Sequence, residues 1–160
     1  ALHEALADYL WSKLSVPDRA TPWEDRMRDL TAQLWRAARR HPALVPVLLT
    51  RRFTGPDGLP AVDALLGAAC DAGFDAAGSV RCFRVLTGFA IGLAQAEATR
   101  TRADHERPPR RALVDGEPAA RFPYLHGALA SGALDRPVDD FAFGMDALLT
   151  GFRAAVADLQ

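Results

Sequence analysis

The chain has 160 residues, 49% of them hydrophobic and 24% charged, and its formal net charge is −1. That length suffices for one domain with a real core, which buries roughly 68–70% of its unfolded surface. The near-neutral charge removes any electrostatic ground for nucleic-acid binding by this chain itself.

The basic charge is nearly all arginine, with Lys13 the only lysine. Asparagine is absent and Ile91 is the only isoleucine, a bias of GC-rich coding that carries no mechanism. Cys70 and Cys82 both lie within apolar helical patterns and read as buried, reduced thiols of a cytosolic protein. A zinc site would need more ligands at closer spacing, so no metal is expected. No signal-peptide pattern opens the chain. The longest weakly polar run, Val85 to Ala98, is about fourteen residues, short of the roughly twenty that span a bilayer. A cytoplasmic protein without membrane contact is expected.

Ala1–Leu14 is a helix pattern, with Leu2, Leu6, Tyr9, Leu10 and Leu14 at three- and four-residue steps. A helix opening at the first residue reads as the continuation of an earlier element. Ser15–Pro22 is a connector. Thr21-Pro22-Trp23-Glu24 then starts a second helix. Thr21 is expected to cap it, Pro22 to take its first position, and Glu24 and Asp25 to favour its positive end. It runs to Arg40, with Trp23, Met27, Leu30, Leu34 and Ala38 inward, Trp35 beside them, and Arg26, Arg28, Arg36, Arg39 and Arg40 outward. A short helix follows over Ala43–Arg51, with Pro46 tolerated near its first turn.

After the loop at Arg52–Gly58, Leu59–Ala72 forms a helix with Val62, Leu65, Leu66, Ala69 and Cys70 inward. Gly73 ends it in a left-handed conformation, with Phe74 as the accompanying hydrophobic contact. Asp75 caps the next helix, Ser79–Ala98, which spans roughly 30 Å. Its apolar residues lie on more than one side, so it is either a central helix or a subunit interface. Thr99–Glu117 is polar and arginine-rich, contains Pro108 and Pro109, and reads as a solvated loop. Ala119–Ser131 is a helix with Phe122, Leu125 and Leu129 inward. The last helix, Pro137–Leu159, carries Val138, Phe141, Met145, Leu148, Leu149, Phe152 and Val156. Gly144 and Gly151 each cost that helix about 1 kcal/mol against alanine, which implies close approach of another helix. No strand pattern appears. The fold class is all-α with about seven helices.

No catalytic constellation is present, and neither an enzyme nor a cofactor is expected. His3-Glu4 begins like a metalloprotease helix, but Ala7 stands where the second histidine would be. Ser12, Ser15, Ser79 and Ser131 lack a nucleophile context. His41, His105 and His126 are far apart, and Asp139-Asp140 reads as a helix N-terminus. The surplus of large apolar residues, including Trp11, Trp23, Trp35, Phe53, Phe74, Phe83 and Phe89, fits either a plain core or a pocket with Gln33 and Thr87 as its polar groups.

Several segments carry a resemblance. They are Trp23–Arg40 followed by His41-Pro42-Ala43-Leu44, then Leu65 to Gly73-Phe74, then Thr87-Gly88-Phe89-Ala90-Ile91-Gly92-Leu93 with Gln95-Ala96-Glu97. Phe122-Pro123-Tyr124-Leu125 follows, and the most specific match is Phe141-Ala142-Phe143-Gly144-Met145-Asp146-Ala147-Leu148-Leu149-Thr150-Gly151-Phe152. In this order the chain resembles the C-terminal regulatory domain of TetR-type transcriptional repressors, in the branch related to the tetracycline repressor.

The resemblance implies a single ligand-binding and dimerisation domain over residues 1–160, with the family's helix-turn-helix DNA-binding domain preceding Ala1 and absent here. The helices at Ser79–Ala98 and Pro137–Leu159 would form a four-helix dimer bundle through Phe89, Ala90, Leu93, Glu97, Phe141, Gly144, Leu148, Gly151 and Phe152. A small effector would bind among Leu30, Leu34, Trp35, Ala38, Val47, Thr50, Leu65, Phe83 and Thr87. Tetracycline repressors carry a magnesium-holding histidine before a Thr-Arg pair. Here Thr50-Arg51 is present, but Val47 stands at the histidine position, so the expected effector is apolar or aromatic and metal-free. The expected partners are a second copy of the chain, that effector, and operator DNA only through the missing domain. A purely structural dimerisation module is the alternative.

Overall fold

The computed structural model describes residues 8–44, 56–103, 118–132 and 139–158. Every regular element among them is helical, in agreement with the all-α expectation. They are α1 (8–12), α2 (Trp23–Arg40), a 3₁₀ turn (Pro42–Leu44), α3 (Leu59–Ala72), α4 (Ala76–Ala103), α5 (Pro123–Ala130) and α6 (Asp140–Ala157). The expected helix over 43–51 lies outside the described residues beyond Leu44, as do Pro137, Val138 and Leu159 of the last one. The chain divides into two compact units, one holding α1 to α3, α4 up to Ala98, and α6, the other comprising Thr99–Asp139 with α5.

Local chemistry sets the helix ends. Gly73 sits at φ 113°, the left-handed region where only glycine rests without strain. Its position lets the Phe74 N–H reach back to the Ala69 carbonyl at 3.1 Å, closing the end of α3. Asp75 then accepts a bond from the Gly78 N–H at 2.7 Å and so caps α4. The start of α2 departs from expectation. Pro22 is itself the cap residue, and no side chain caps the helix. The Thr21 N–H is instead used in a turn, donating to the Asp18 carbonyl at 3.0 Å. Glu24 and Asp25 still occupy the first turn and Arg39 and Arg40 the last, as the helix dipole favours.

α4 is longer than its apolar pattern, at 28 residues. The polar residues 99–103, expected in a loop, continue the helix, because arginine, threonine and alanine do not stop one. The rest of that loop, 104–117, lies outside the described residues. By length and composition alone, Ala76–Arg100 would suffice to cross a membrane, a longer stretch than the weakly polar run Val85–Ala98. Its apolar surface has a nearer use, since Leu86, Ala90 and Ala94 are 0–1% exposed within the core of the first unit.

That core is formed by Met27, Leu30, Leu34 and Ala38 of α2, Leu65 and Ala69 of α3, Leu86 and Ala90 of α4, and Met145 and Leu149 of α6. Two ion pairs bind α2 to α6 in antiparallel register, Arg28 to Asp146 at 2.6 Å and Arg153 to Glu24 at 3.0 Å. Arg26, expected outward, is only 5% exposed. Its burial is matched by the Asp71 carboxylate of α3, which accepts a bond from the guanidinium at 2.6 Å. Cys70 is exposed, contrary to expectation, and lies 3.2 Å from the Ser79 hydroxyl. Cys82 is buried as expected, and burial pushes its thiol up to about 11, so it stays protonated and unreactive at neutral pH.

In the second unit, no residue of α5 is buried. Phe122 and Leu125 were expected inward but are 40% and 43% exposed, and Tyr124 is 92% exposed. Eight residues present too little surface to enclose an apolar face of their own.

Candidate functional site

The inner stripe of α2 repeats every three to four residues, which places Leu30, Leu34 and Ala38 on one face. α3 brings Leu65 and α4 brings Phe83 and Thr87 into the same unit as that face. Leu30, Leu34, Ala38 and Leu65 are 0–3% exposed in one continuous apolar cluster. Trp35 and Phe83 are half-buried and pack against it. The Thr87 hydroxyl donates to the Phe83 carbonyl one turn back at 2.8 Å. Of the nine expected ligand-binding residues, Leu30, Leu34, Ala38 and Leu65 lie in that cluster, Trp35 and Phe83 flank it, Thr87 is not part of it, and Val47 and Thr50 lie outside the described residues. Gln33 serves elsewhere: its amide accepts from the Ser15 N–H at 2.7 Å and donates to the Ser15 carbonyl at 2.9 Å.

Polar groups border the cluster at one end. The Trp35 indole N–H donates to Glu97 Oε2 at 3.2 Å, and Arg39 Nε reaches the same oxygen at 2.9 Å. The Arg39 guanidinium lies over the Trp35 ring, 4.7 Å from its centroid. Trp35 also stacks on Phe141 at 4.6 Å with the planes 16° apart, and Phe141 in turn meets Phe89 at 5.8 Å. This aromatic and charged group links the end of α2, α4 and the start of α6. The spacing of Trp35 and Arg39, four residues apart on α2, was its visible signal. Their partner Glu97 lies 62 residues from Trp35, and no local pattern announces it. At 1% exposure, Thr31 places a hydroxyl in the interior of α2 with no hydrogen-bond partner. Among the described residues no group of three or more His, Cys, Asp and Glu side chains could hold a metal ion.

The residues expected at a subunit interface are placed differently. Ala90 and Phe141 are buried in their own chain's core, at 0% and 8% exposed. Phe89 packs against Phe141 and against Gly144, whose backbone leaves no room for a Cβ beside the Phe89 ring. Glu97 holds Trp35 and Arg39, and Leu93, Leu148 and Phe152 pack against the core from partly buried positions, Phe152 edge-on to Phe74. The cause is the broad apolar circumference of α4: the side assigned outward is the side that meets α6. Gly151 does face open space. The outward stripe of α4 is Arg81, Val85, Gly88, Gly92 and Ala96, and that of α6 is Phe143, Ala147, Gly151 and Ala154. Phe143 is 78% exposed, and a Cβ on Gly88 or Gly92 would touch nothing.

The sequence profile of the tetracyclin repressor-like C-terminal domain matches residues 16–156. The chain belongs to that family. Its fold is that of solved TetR-family regulators. It superposes on apo ActR from Streptomyces coelicolor with a TM-score of 0.81 at 18% identity, covering 99% of this chain and 76% of that one. ActR in complex with actinorhodin gives 0.80 at 19% identity, covering 97% and 76%. A possible TetR family transcriptional regulator from Streptomyces coelicolor A3(2) gives 0.70 at 23% identity, covering 96% and 77%. No curated protein matches the chain in sequence at a significant level. As a C-terminal domain of TetR type, the chain is the regulatory portion of a transcriptional regulator.

Proposed function

We propose that this TetR-family domain senses a small, largely apolar or aromatic effector and acts as a homodimer. On this reading the whole of residues 1–160 is the regulatory domain of a cytoplasmic repressor. The effector binds within the unit that holds Leu30, Leu34, Trp35, Ala38, Leu65, Phe83 and Thr87, with Val47 and Thr50 as further wall residues, and uses neither metal nor cofactor. Binding favours one position of α1, which leads toward the DNA-binding domain, and so lowers affinity for operator DNA. The observation that supports the reading is that the chain is a domain of this family, with Leu30, Leu34 and Ala38 of α2 and Leu65 of α3 in one apolar cluster flanked by Trp35 and Phe83. That ActR was solved with actinorhodin adds support by fold likeness. An effector shifts the equilibrium only by its difference in affinity for the two positions of α1.

The dimer surface proposed is the outward stripe, Arg81–Ala96 on α4 with Phe143–Ala154 on α6. Small residues there let helices approach closely, and Phe143 supplies an apolar side chain. Catalysis has no part in this reading. A specific observation favours a second one: Leu30, Leu34, Ala38 and Leu65 are packed at 0–3% exposure, as a purely structural dimerisation module would have them.

A thermal-shift screen of polycyclic aromatic compounds with actinorhodin among them decides between the two, because a ligand that binds only the folded state raises its melting temperature. The sensing reading expects at least one compound to raise Tm in a saturable way, with Phe83→Ala and Leu65→Ala abolishing the shift. A screen without any saturable shift leaves the structural module. Light scattering at micromolar concentration checks the dimer, and a monomer there removes it.

A further inference from the structure

We infer that Thr31 is the hydrogen-bonding anchor of the effector, and that the effector it selects carries a carbonyl oxygen on an apolar, aromatic frame. That role rests on the sensing reading and deepens it, by naming the polar contact with which a largely apolar site fixes its ligand.

The two other helical hydroxyls that are buried or half-buried among the described residues are satisfied by their own helix. Ser79 donates to the Asp75 carbonyl at 2.9 Å and Thr87 to the Phe83 carbonyl at 2.8 Å, each one turn back. This bond is the ordinary way to bury a serine or threonine inside a helix. Thr31 has the same choice, since the Met27 carbonyl lies one turn back on α2. It makes neither that bond nor any other with the described residues, although it is 1% exposed. A buried hydroxyl without a partner destabilises the fold by its lost hydration. The cost sits in the middle of the inner face of α2. Two more buried polar atoms lack a partner, and neither is a rival. Arg26 Nε belongs to a guanidinium already paired with Asp71 at 2.6 Å, and His126 Nε2 lies in the other compact unit.

The position of Thr31 gives the unpaired hydroxyl a use. Leu34, Trp35 and Ala38 follow it at three, four and seven residues, so all four share one face of α2. The other polar groups named for the site are spent. The Trp35 indole N–H goes to Glu97 Oε2 at 3.2 Å, and the Thr87 hydroxyl to its own helix. Gln33 is held by both backbone groups of Ser15 and by Asp29 Oδ2 at 2.8 Å. Thr31 is left with a hydroxyl that solvent does not reach, so a molecule lodged in the cluster is what can serve it.

A carbonyl is the ligand group that fits. Threonine donates one hydrogen bond, and a carbonyl accepts it without bringing a donor of its own. A ligand hydroxyl facing Thr31 would make one bond between two donors and leave the other donor unpaired among Leu30, Leu34 and Ala38. An aromatic frame suits the rest of the cluster, which Trp35 and Phe83 flank.

Calorimetric titration of the whole chain with fluorenone and with fluorene, planar molecules that differ by one carbonyl, tests the anchor. The wild type is expected to bind the ketone about tenfold or more tighter, the effect of one hydrogen bond to an otherwise unpaired buried group. Thr31→Val, of nearly the same shape, is expected to bind the two compounds alike, and Thr31→Ser to restore the preference. Without ligand, Thr31→Val is expected to melt at or above the wild-type temperature, because it removes no bond. A clearly lower Tm in the ligand-free Thr31→Val protein would show that the hydroxyl serves the fold, and would overturn the anchor. A wild type that binds both compounds equally, or neither, would overturn it too, as would a Thr31→Val protein that keeps the preference. Equal binding leaves the sensing reading standing, since an apolar molecule is still bound. That reading falls only with an empty ligand screen.

Discussion

The two sides of α4 carry residues of different size and have opposite surroundings. Leu86, Ala90 and Ala94 are 0–1% exposed, while Val85, in the same turn as Leu86, is 43% exposed, and Gly88 and Gly92 face open space. The buried side needs complementary shape, because it meets α2 and α6 at interior density. The open side has small residues where a lone domain would carry charge. A helix with so wide an apolar circumference is fully used only when something covers its second side. Substitutions on the two sides are therefore expected to separate stability from assembly.

The largest effect is expected on the buried side. Leu86→Ala removes a 0% exposed side chain from the core of the first unit. It should cost about 2–5 kcal/mol in chemical denaturation, whatever the oligomeric state. Loss below about 1 kcal/mol would mean that α4 is packed more loosely here than its burial indicates.

Next comes the seam between α4 and α6. Any Cβ at Gly144 collides with the Phe89 ring, so Gly144→Leu should destabilise the fold by about 1–3 kcal/mol through overpacking. Sizing at low denaturant should show aggregation or partial unfolding. A well-folded monomer from this substitution would instead return Gly144 to the outward face.

A smaller effect, dependent on pH, is expected where α3 meets α2. The hydrogen bond from Arg26 lowers the pKa of Asp71 most, the partial burial of Asp71 opposes this, and the charges of Arg26 and Arg19 add to the lowering. A carboxylate held below its ordinary range contributes stability that is full above the unfolded pKa and is lost as pH falls through the folded value. The Tm of the wild-type chain should therefore drop as pH is lowered from the ordinary carboxylate pKa into the acid range. Asp71→Asn should lower Tm at pH 7, where it leaves the charge of the buried Arg26 without its carboxylate, and flatten that acid slope. Parallel pH curves for the two proteins would rule out this pair as the source.

These cases also mark what the sequence made legible. The stripe Met27, Leu30, Leu34, Ala38 and the end of α3 at Gly73-Phe74 were readable because their causes are local: a 3.6-residue period and one residue with positive φ. Arg26 was misplaced because its partner is 45 residues away, and a lone arginine in a helix reads as solvated. Phe89, Ala90 and Glu97 were assigned to the wrong side for a related reason. Periodicity shows that α4 is apolar on two sides but not which one meets α6. The Phe89–Gly144 contact decides that, and it exists only in three dimensions. The proposed binding region draws on three helices, and of it the apolar stripe on α2 was legible in the sequence. Its polar edge, Trp35 with Arg39 and Glu97, was not, since one of its members had been given to the interface.

The smallest effect on stability, and the sharpest on assembly, is expected on the open side. Gly92 lies within α4, and a side chain added there meets nothing within the chain. Replacing a mid-helix glycine recovers helix propensity worth about 1 kcal/mol, so Gly92→Leu should leave the fold intact or slightly firmer. In the proposed dimer the same residue lies where two helices approach most closely, and a leucine would hold them apart. Light scattering should then give a folded monomer where the wild type gives a dimer, with denaturation no earlier than wild type at matched monomer concentration. A Gly92→Leu protein that remains dimeric would exclude the α4 stripe as the contact. Phe143 and Gly151 of α6 would be left as the surface on which a second copy could still be seated, and Phe143→Ser would then be the substitution that separates the subunits.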